Sequence, residues 1–175
     1  MILVIIFFVA VLIYAIFFIT QFYNIIFKDY APTLSTDRIT IKKIINELKL
    51  KDKTVVYELG CGQAKFLRFI EKNYSPAKLI GVENSLIVYW FNQLKFKLQA
   101  SKIKLLPKDI FDINLGQADV IYCWLFNSNM IKLGEKIKKE CKPGTQIISR
   151  SFSIPQFKSI KTLIIENKKV YFYQI

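Results

Sequence analysis

The sequence contains no histidine and only three cysteines among 175 residues. Without histidine, neither a Ser-His-Asp nor a Cys-His hydrolase centre can form, and no imidazole is available as a general acid or base. The cysteines, Cys61, Cys123 and Cys141, are odd in number and form no C-x-x-C pair. Since no histidine can complete a zinc ligand set either, we expect no metal.

Charge is absent from the first 27 residues, because no Asp, Glu, Lys or Arg precedes Lys28. Residues 2–19 are almost wholly aliphatic and aromatic, and they approach the roughly 20 residues that cross a bilayer core. A cleaved signal peptide needs a basic start, a shorter apolar region and a small-residue cleavage site, and this segment offers none of them. The sequence therefore predicts an uncleaved transmembrane anchor within residues 1–27 that contacts the lipid bilayer.

Basic residues dominate the rest of the chain, whose net charge is +13. Seven Lys and Arg side chains lie within residues 28–53, whereas only the α-amino group precedes the apolar segment. The positive-inside rule then predicts a single-pass protein whose domain is cytoplasmic, or matrix-side in an organelle. The lysines are scattered and form no Arg-rich run, so we expect them to lie against anionic lipid rather than nucleic acid.

From residue 54 onward, short apolar strands alternate with helices. Residues 28–53 predict a juxtamembrane loop and a lead-in helix over 37–48, and residues 54–175 predict the main domain. The alternation is typical of an α/β, Rossmann-like doubly wound sheet of about seven strands, here ending in an antiparallel hairpin. The predicted strands are 54–59, 78–82, 103–106, 118–124, 146–152, 162–165 and 170–175, and the helices between them are 64–72, 86–99 and 129–140.

The most informative local pattern follows the first strand, which carries Glu58 and leads through Gly60 and Gly62 directly into a helix. Glycines allow a sharp turn and a close approach of ligand to backbone, and helix N-terminal N–H groups face that ligand. Two more acids, Glu83 and Asp109, follow the next two strands. Parallel strands share one carboxyl edge, so the three acids predict one nucleotide crevice, with Glu83 on ribose hydroxyls and Asp109 near an adenine amino group.

The residues of this loop also fit other interpretations. A lone Gly-x-Gly also occurs in incidental strand-to-helix turns. A dinucleotide dehydrogenase shares the geometry, but its third glycine would stand at position 65, which is Lys65 here. Cys61 is either a reactive thiol near a helix N-terminus or simply a small residue between two glycines, and the second interpretation is favoured.

Three segments, residues 58–62, 81–84 and 107–111, resemble the first three motifs of class I (seven-strand) S-adenosylmethionine-dependent methyltransferases. The apolar N-terminus, Ala31-Pro32-Thr33, Asn84-Ser85-Leu86 and Ser128-Asn129-Met130 extend the resemblance to small membrane-anchored lysine methyltransferases that act on adenine nucleotide translocase and the ATP synthase c subunit. The resemblance implies S-adenosylmethionine as cofactor and a protein-lysine acceptor. The cofactor-binding residues that it implies are Glu58, Gly60, Cys61, Gly62, Glu83, Asn84, Asp109 and Ile110.

The segment after the fourth strand, residues 122–127, usually faces the methyl acceptor in this family. It lacks the Asp/Asn-Pro-Pro-Tyr/Phe motif of adenine-N6 and glutamine-amide methyltransferases. Tyr122 and Asn127 are candidate acceptor-facing groups, although a core role suits Tyr122 and Trp124 equally well. No catalytic base is assigned, because the sulfonium is already a good leaving group and positioning can supply most of the acceleration.

One departure from the family concerns the cofactor loop, where Gln63-Ala64-Lys65 replaces the usual Asp-Gly-Arg and removes one acid. Three functions therefore stay open. They are lysine methylation of a membrane or membrane-proximal protein, methylation of a lipid or hydrophobic small molecule, and a non-catalytic membrane scaffold that has the cofactor fold. Only the scaffold predicts no cofactor binding.

Overall fold

The computed structural model describes residues 1–28, 36–48, 50–75 and 78–175, with side chains described outside residues 21–28. Contacts between Cα atoms divide the chain into two compact units, Met1–Pro32 and Thr33–Ile175. The lead-in helix thus belongs to the second unit, together with the sheet.

The first unit contains one long helix, α1 (Ile2–Lys28). Its sequence has neither proline nor glycine, so nothing interrupts the backbone hydrogen bonds. Its residues Ile2–Thr20 are long and apolar enough to cross a membrane, judged by length and composition alone.

The second unit is an α/β domain whose sheet has seven strands in the order β3-β2-β1-β4-β5-β7-β6. The first five strands are parallel, and β7 pairs antiparallel with both β5 and β6. The predicted fold class is therefore confirmed. The strands are β1 (Val55–Leu59), β2 (Lys78–Val82), β3 (Lys104–Leu106), β4 (Val120–Cys123), β5 (Gln146–Arg150), β6 (Lys161–Ile165) and β7 (Lys168–Gln174), and the helices are α2 (Arg38–Asn46), α3 (Lys65–Asn73), α4 (Leu86–Leu98) and α5 (Ser128–Glu140).

Both faces of the sheet are covered, which explains why the parallel strands β1, β2, β4 and β5 are buried along nearly their whole length rather than at alternating positions. One core layer contains α2 and α3 side chains, including Ile44, Phe66 and Ile70, packed against Val56 and Tyr122 of the sheet. The opposite layer packs α5 against the other face, with Leu133 and Ile137 on Leu59 and Ile121. α2 is thus part of the domain core.

Every strand except β2 differs from its predicted bounds by one or two residues at one or both ends, and two of these differences have a clear backbone cause. β5 stops at Arg150 rather than at 152, because Ser151 adopts a left-handed backbone with φ of 74° that an extended strand cannot continue. The closing hairpin is shorter in its loop than predicted, since Glu166 and Asn167 form a two-residue turn with φ of 49° and 59°. Two positive φ values are the signature of a type I′ turn, whose twist matches the flanking strands.

Candidate active site

The parallel strands end at one level along a common edge of the sheet. The ladder pairs Leu59 with Val82 on one side and with Cys123 on the other. Glu83 and Trp124 directly follow the last residues of β2 and β4, so they lie on either side of β1. With neighbouring strands 4.7–4.9 Å apart, their backbones are separated by roughly 10 Å. From β1, the chain adds β2 and β3 on one side of the sheet and then β4 and β5 on the other, so the direction of strand addition changes between β1 and β4. Open α/β sheets bind their ligands at such a position.

The loop between β1 and α3 is built on three left-handed residues, Gly60, Gly62 and Ala64, with φ of 67°, 48° and 49°. A Cβ on Gly60 would approach Leu125 Cδ2 to 3.0 Å, so this position has little room for a side chain as well. The buried Asn92 of α4 donates its side-chain N–H to the Gly62 carbonyl and holds the loop from behind. The loop therefore has a fixed shape, with a backbone that larger residues adopt only under strain.

Glu58 is buried at the end of β1 and supplies the N-terminal cap of α3. Ala64, which precedes the helix, offers no side-chain hydrogen bond of its own. The Leu67 amide instead donates to Glu58 Oε2 at 3.2 Å. Burial raises the pKa of Glu58 to about 8 despite the amides of Leu67 and Phe66, and the nearby Glu83 carboxylate adds to the rise. A cation placed beside this carboxylate would be stabilised strongly.

Glu83 bridges two loops. Its Oε2 accepts from the Gly62 amide at 2.9 Å and its Oε1 from the Ser85 amide at 3.0 Å. Burial raises the pKa of this carboxyl as well, against the hydrogen bonds from Ser85, Gly62 and Asn84. Each carboxylate oxygen has a second lone pair, so Glu83 can hold the loops and still accept two hydroxyl donors.

The third acid, Asp109, is half-buried just beyond β3. Its Oδ1 accepts from the Phe111 amide at 2.9 Å, which fixes the turn that follows. The next residue, Ile110, is buried in the core layer that contains α5. Lys136 of α5 donates to the Phe111 carbonyl at 3.1 Å. Asn84 lies half-buried directly after Glu83. The structure thus brings the predicted loop residues and the three acids to one edge of the sheet.

The surroundings of Cys61 do not favour a reactive thiol. Its side chain is buried against Gly81, where an added Cβ would meet Cys61 Sγ at 2.9 Å. Burial, together with the carboxylates of Glu58 and Glu83, raises the thiol pKa well above its usual value. Its amide donates to the Val82 carbonyl at 2.9 Å. Cys61 therefore acts as a small packing residue that joins the loop to β2.

The residues after β4 occupy different surroundings. Tyr122 is buried, stacks on Phe66 with ring centroids 4.3 Å apart and shares a 2.6 Å hydrogen bond with the Thr36 hydroxyl. Asn127 is exposed immediately before α5. Trp124 is half-buried at the carboxyl edge. Tyr122 thus has a packing role here, and the assignment of Tyr122 and Asn127 to the acceptor stays a prediction.

Two cations flank the Trp124 ring. The Arg150 guanidinium carbon lies 4.1 Å from the ring centroid, and the Lys168 ammonium lies 4.6 Å from it. Arg150 is only 3% exposed, and its Nη2 is 3.5 Å from Asp37 Oδ2 and 3.9 Å from Glu166 Oε2. This arrangement connects the start of α2, the end of β5 and the hairpin turn around one aromatic ring.

Comparison with known proteins identifies the family. The family model described as the ANTKMT methyltransferase domain matches residues 58–161, more than half of the chain. The chain belongs to this family. A protein-lysine N-methyltransferase of Saccharolobus islandicus (strain REY15A) is 24% identical over 155 residues, which cover 85% of this chain and 96% of that protein.

Solved structures share the fold. An RNA methyltransferase from Salinibacter ruber in complex with S-adenosyl-L-homocysteine has a TM-score of 0.75 at 19% identity, covering 81% of this chain and 94% of its own. A precorrin-6y C5,15-methyltransferase from Geobacter metallireducens GS-15 has a TM-score of 0.65 at 11% identity, covering 83% and 92%. The protein is a class I methyltransferase, and its cofactor is S-adenosylmethionine.

The residues at the carboxyl edge fit this cofactor. Two buried carboxylates, Glu58 and Glu83, suit a ligand with an ammonium group and vicinal hydroxyls, and the glycine loop admits it without a Cβ in the way. When bound, S-adenosylmethionine supplies a methyl group on a sulfonium whose departure needs no acid. Gln63 leaves the loop without the family's additional acid, while Glu58 and Glu83 retain their buried positions.

Sequence reasoning missed three residues of this edge. Asn92 could have been noticed as the buried amide in a helix that is otherwise nearly apolar. Arg150 ends an apolar strand, which is a weaker signal, and its contact with Trp124 depends on the register of β4 and β5. No local sequence pattern marks Thr36, because its hydrogen-bond partner Tyr122 is 86 residues away in the chain.

Proposed function

We propose that this methyltransferase transfers a methyl group from S-adenosylmethionine to a lysine side chain of a membrane or membrane-proximal protein, while α1 anchors it in the bilayer. In this proposal Glu58, Gly60, Cys61, Gly62, Glu83, Asn84, Asp109 and Ile110 form the cofactor site. Tyr122 and Asn127 belong to the acceptor side. The domain is on the cytoplasmic side, or the matrix side in an organelle.

The observation that carries the lysine proposal is the Trp124 ring at the carboxyl edge of the sheet. Trp124 already accommodates a lysine ammonium, that of Lys168, 4.6 Å from its centroid. An aromatic face attracts an ammonium group before it loses its proton. The similarity to a protein-lysine N-methyltransferase along 96% of that relative supports the same acceptor class.

The chain contains no imidazole to remove the acceptor's proton. A lysine with an ordinary pKa near 10.4 is protonated at neutral pH, but an apolar channel lowers that pKa by disfavouring the charged form. Desolvation at the edge therefore takes the place of a general base. Tethering by α1 raises the effective concentration of acceptors that lie in the same membrane.

The first test measures cofactor binding by titration calorimetry of the full chain in detergent. Glu83→Gln preserves the volume of the side chain and removes its charge, so we expect binding about 10- to 100-fold weaker, as when hydrogen bonds to a charged group are lost. Glu135→Gln, an exposed acid on α5, is the matched control and should bind like the wild type. A folded wild-type chain that does not bind S-adenosylmethionine would instead support the scaffold.

The second test identifies the acceptor. Membranes from cells that lack the protein are incubated with the full chain and methyl-tritiated S-adenosylmethionine, then separated into protein and lipid fractions. Label recovered as methyllysine after hydrolysis of the protein fraction supports the proposal. Label in the lipid extract, absent with Glu83→Gln, would assign the enzyme to lipid methylation.

A further inference from the structure

The exposed face of α4 is apolar apart from Lys97. Five of its large side chains, Leu86, Trp90, Phe91, Leu94 and Leu98, are between 60% and 79% exposed. At 3.6 residues per turn, they lie within an arc of about 140° on one side of the helix. We refer to these five residues as the α4 ridge. Contiguous exposed apolar surface of this kind marks a site of interaction with a partner or a membrane.

The ridge is not the side on which α4 packs. Val88, Asn92 and Phe96 are the buried residues of this helix, and they face the domain from the opposite arc. α5 has the same length, and its exposed positions include Lys132, Glu135, Lys138 and Lys139. The ridge is therefore a property of α4 and not of the fold's outer helices in general.

The charges of α4 have one sign. The helix contains Lys95 and Lys97 and no acidic residue. Lys102 and Lys104 follow shortly after it and are exposed. Exposed tryptophan, phenylalanine and leucine near lysines are the residue types with which interfacial helices bind anionic membranes. Each lysine near such a surface is attracted to it.

Chain length keeps the domain close to any membrane that holds α1. Nine residues, 29–37, separate the end of α1 from the start of α2. Fully extended, they span at most roughly 30 Å. Under the proposed anchoring of α1, a tether of this length keeps the bilayer within reach of an apolar face on the domain.

We propose that the α4 ridge inserts into the boundary between headgroups and acyl chains of the anionic bilayer that holds α1. This inference rests on the proposed anchoring by α1. The bilayer then orients the domain, in addition to tethering it, and fixes the direction in which the carboxyl edge of the sheet faces.

A bilayer suits the ridge better than a second copy of this chain. Two ridges packed against each other would place the exposed Lys97 of both copies in or beside the contact, between chains that each have a net charge of +13. Anionic lipid neutralises the same lysines. Charge complementarity thus selects the lipid surface.

The chain contains two tryptophans, Trp90 on the ridge and Trp124 at the carboxyl edge, which makes the test specific. Trp124→Phe leaves Trp90 as the reporter, and Trp90→Phe leaves Trp124 as its matched control. Each full-length variant is reconstituted into vesicles of phosphatidylcholine and phosphatidylglycerol, with or without acyl chains brominated near the headgroup. We expect brominated lipid to remove most of the Trp90 emission and to leave Trp124 emission nearly unchanged.

Leu94→Glu/Leu98→Glu, in the Trp124→Phe background, should abolish this quenching and shift Trp90 emission to longer wavelength. Ile164→Glu, which places one acid at a 71% exposed apolar position of β6, should not. Trp90 emission that resists brominated lipid yet is shielded from acrylamide would indicate a protein–protein contact and overturn the proposal.

Alkaline carbonate extraction of the same vesicles tests α1 separately. A chain that stays with the vesicles while Trp90 is not quenched retains its anchor and contradicts the ridge proposal alone. A chain that is extracted contradicts the anchoring, and with it the ridge proposal.

Discussion

At the scale of single residues, the central feature of the site is a pair of buried acids without a cation. In the described part of the chain, neither Glu58 nor Glu83 forms an ion pair, and burial raises the pKa of both. Burying a charge is costly unless a partner compensates for it. A ligand with an ammonium group supplies that partner, so the ligand-free site is destabilised in a way that cofactor binding relieves.

The raised pKa of Glu58 predicts pH-dependent cofactor affinity. A carboxyl whose pKa in the folded state is about 8 is mostly protonated at pH 6, and it must lose that proton to pair with an ammonium group. Affinity for S-adenosylmethionine should therefore increase as pH rises from 6 to 8, with release of a proton on binding. Calorimetry in buffers of different ionisation enthalpy measures both quantities.

Glu58→Gln provides the control, since it retains hydrogen-bonding capacity at the α3 cap and cannot ionise. Its affinity should be low and nearly constant over the same range. The ligand-free wild type should lose stability as pH rises from about 4.5 towards 8, because its folded state binds the extra proton. A wild type with constant affinity between pH 6 and 8 would refute the role of Glu58.

At the scale of elements, α2 is fixed at its first turn. Asp37 Oδ1 accepts from the Thr40 amide at 2.7 Å as the N-cap, and Asp37 Oδ2 faces Arg150. Burial alone would raise the pKa of Asp37, but the hydrogen bonds from Thr40 outweigh it and lower the value to about 2. One carboxylate thus caps a helix and joins it to the end of β5.

Substitutions at Asp37 separate these two roles. Asp37→Ala removes the cap and the charge, and should lower the free energy of unfolding by about 1–2 kcal/mol. Asp37→Asn retains a capping oxygen and removes the charge, so it should cost less at pH 7. Urea denaturation measures both changes. Asp52→Asn, at an exposed acid in a nearby turn, should have no effect.

Acidification tests the same residue. The depressed pKa means that the contribution of Asp37 is complete above about pH 4 and is lost as pH falls towards 2. The stability difference between wild type and Asp37→Asn should therefore shrink over that range. A difference that stays constant would show that the charge of Asp37 does not stabilise α2.

The sequence predicted where strands and helices lie better than it predicted which of their side chains are buried. Strand and helix positions followed from apolar runs and glycine turns, and the three acids from their spacing after strands. In contrast, α4 is apolar almost all around, so periodicity does not distinguish its buried residue Phe96 from the exposed Trp90. The contact of Arg150 with Trp124 depends on strand order and register, which no local pattern encodes.

At the scale of the whole molecule, charge asymmetry predicts how the protein is oriented in a bilayer that holds α1 as proposed. Right-side-out vesicles should protect the domain of the wild type from protease, and inside-out vesicles should expose it. Ile2→Lys/Leu3→Lys combined with glutamine at Lys28, Lys42 and Lys43 weakens that asymmetry. This variant should give both orientations, seen as partial digestion in each vesicle type. If the domain of this variant stays fully protected from protease in right-side-out vesicles, the charge argument is contradicted.

The position of β7 in the sheet has a consequence for biosynthesis. β7 is the last strand along the chain, yet it lies between β5 and β6 and pairs with both. β6 therefore cannot pair within the sheet until β7 (Lys168–Gln174) has left the ribosome. In contrast, α1 emerges while most of the chain is still unsynthesised. Under the proposed anchoring by α1, membrane insertion would precede completion of the sheet, and the insertion machinery would receive α1 attached to a domain that has not yet folded.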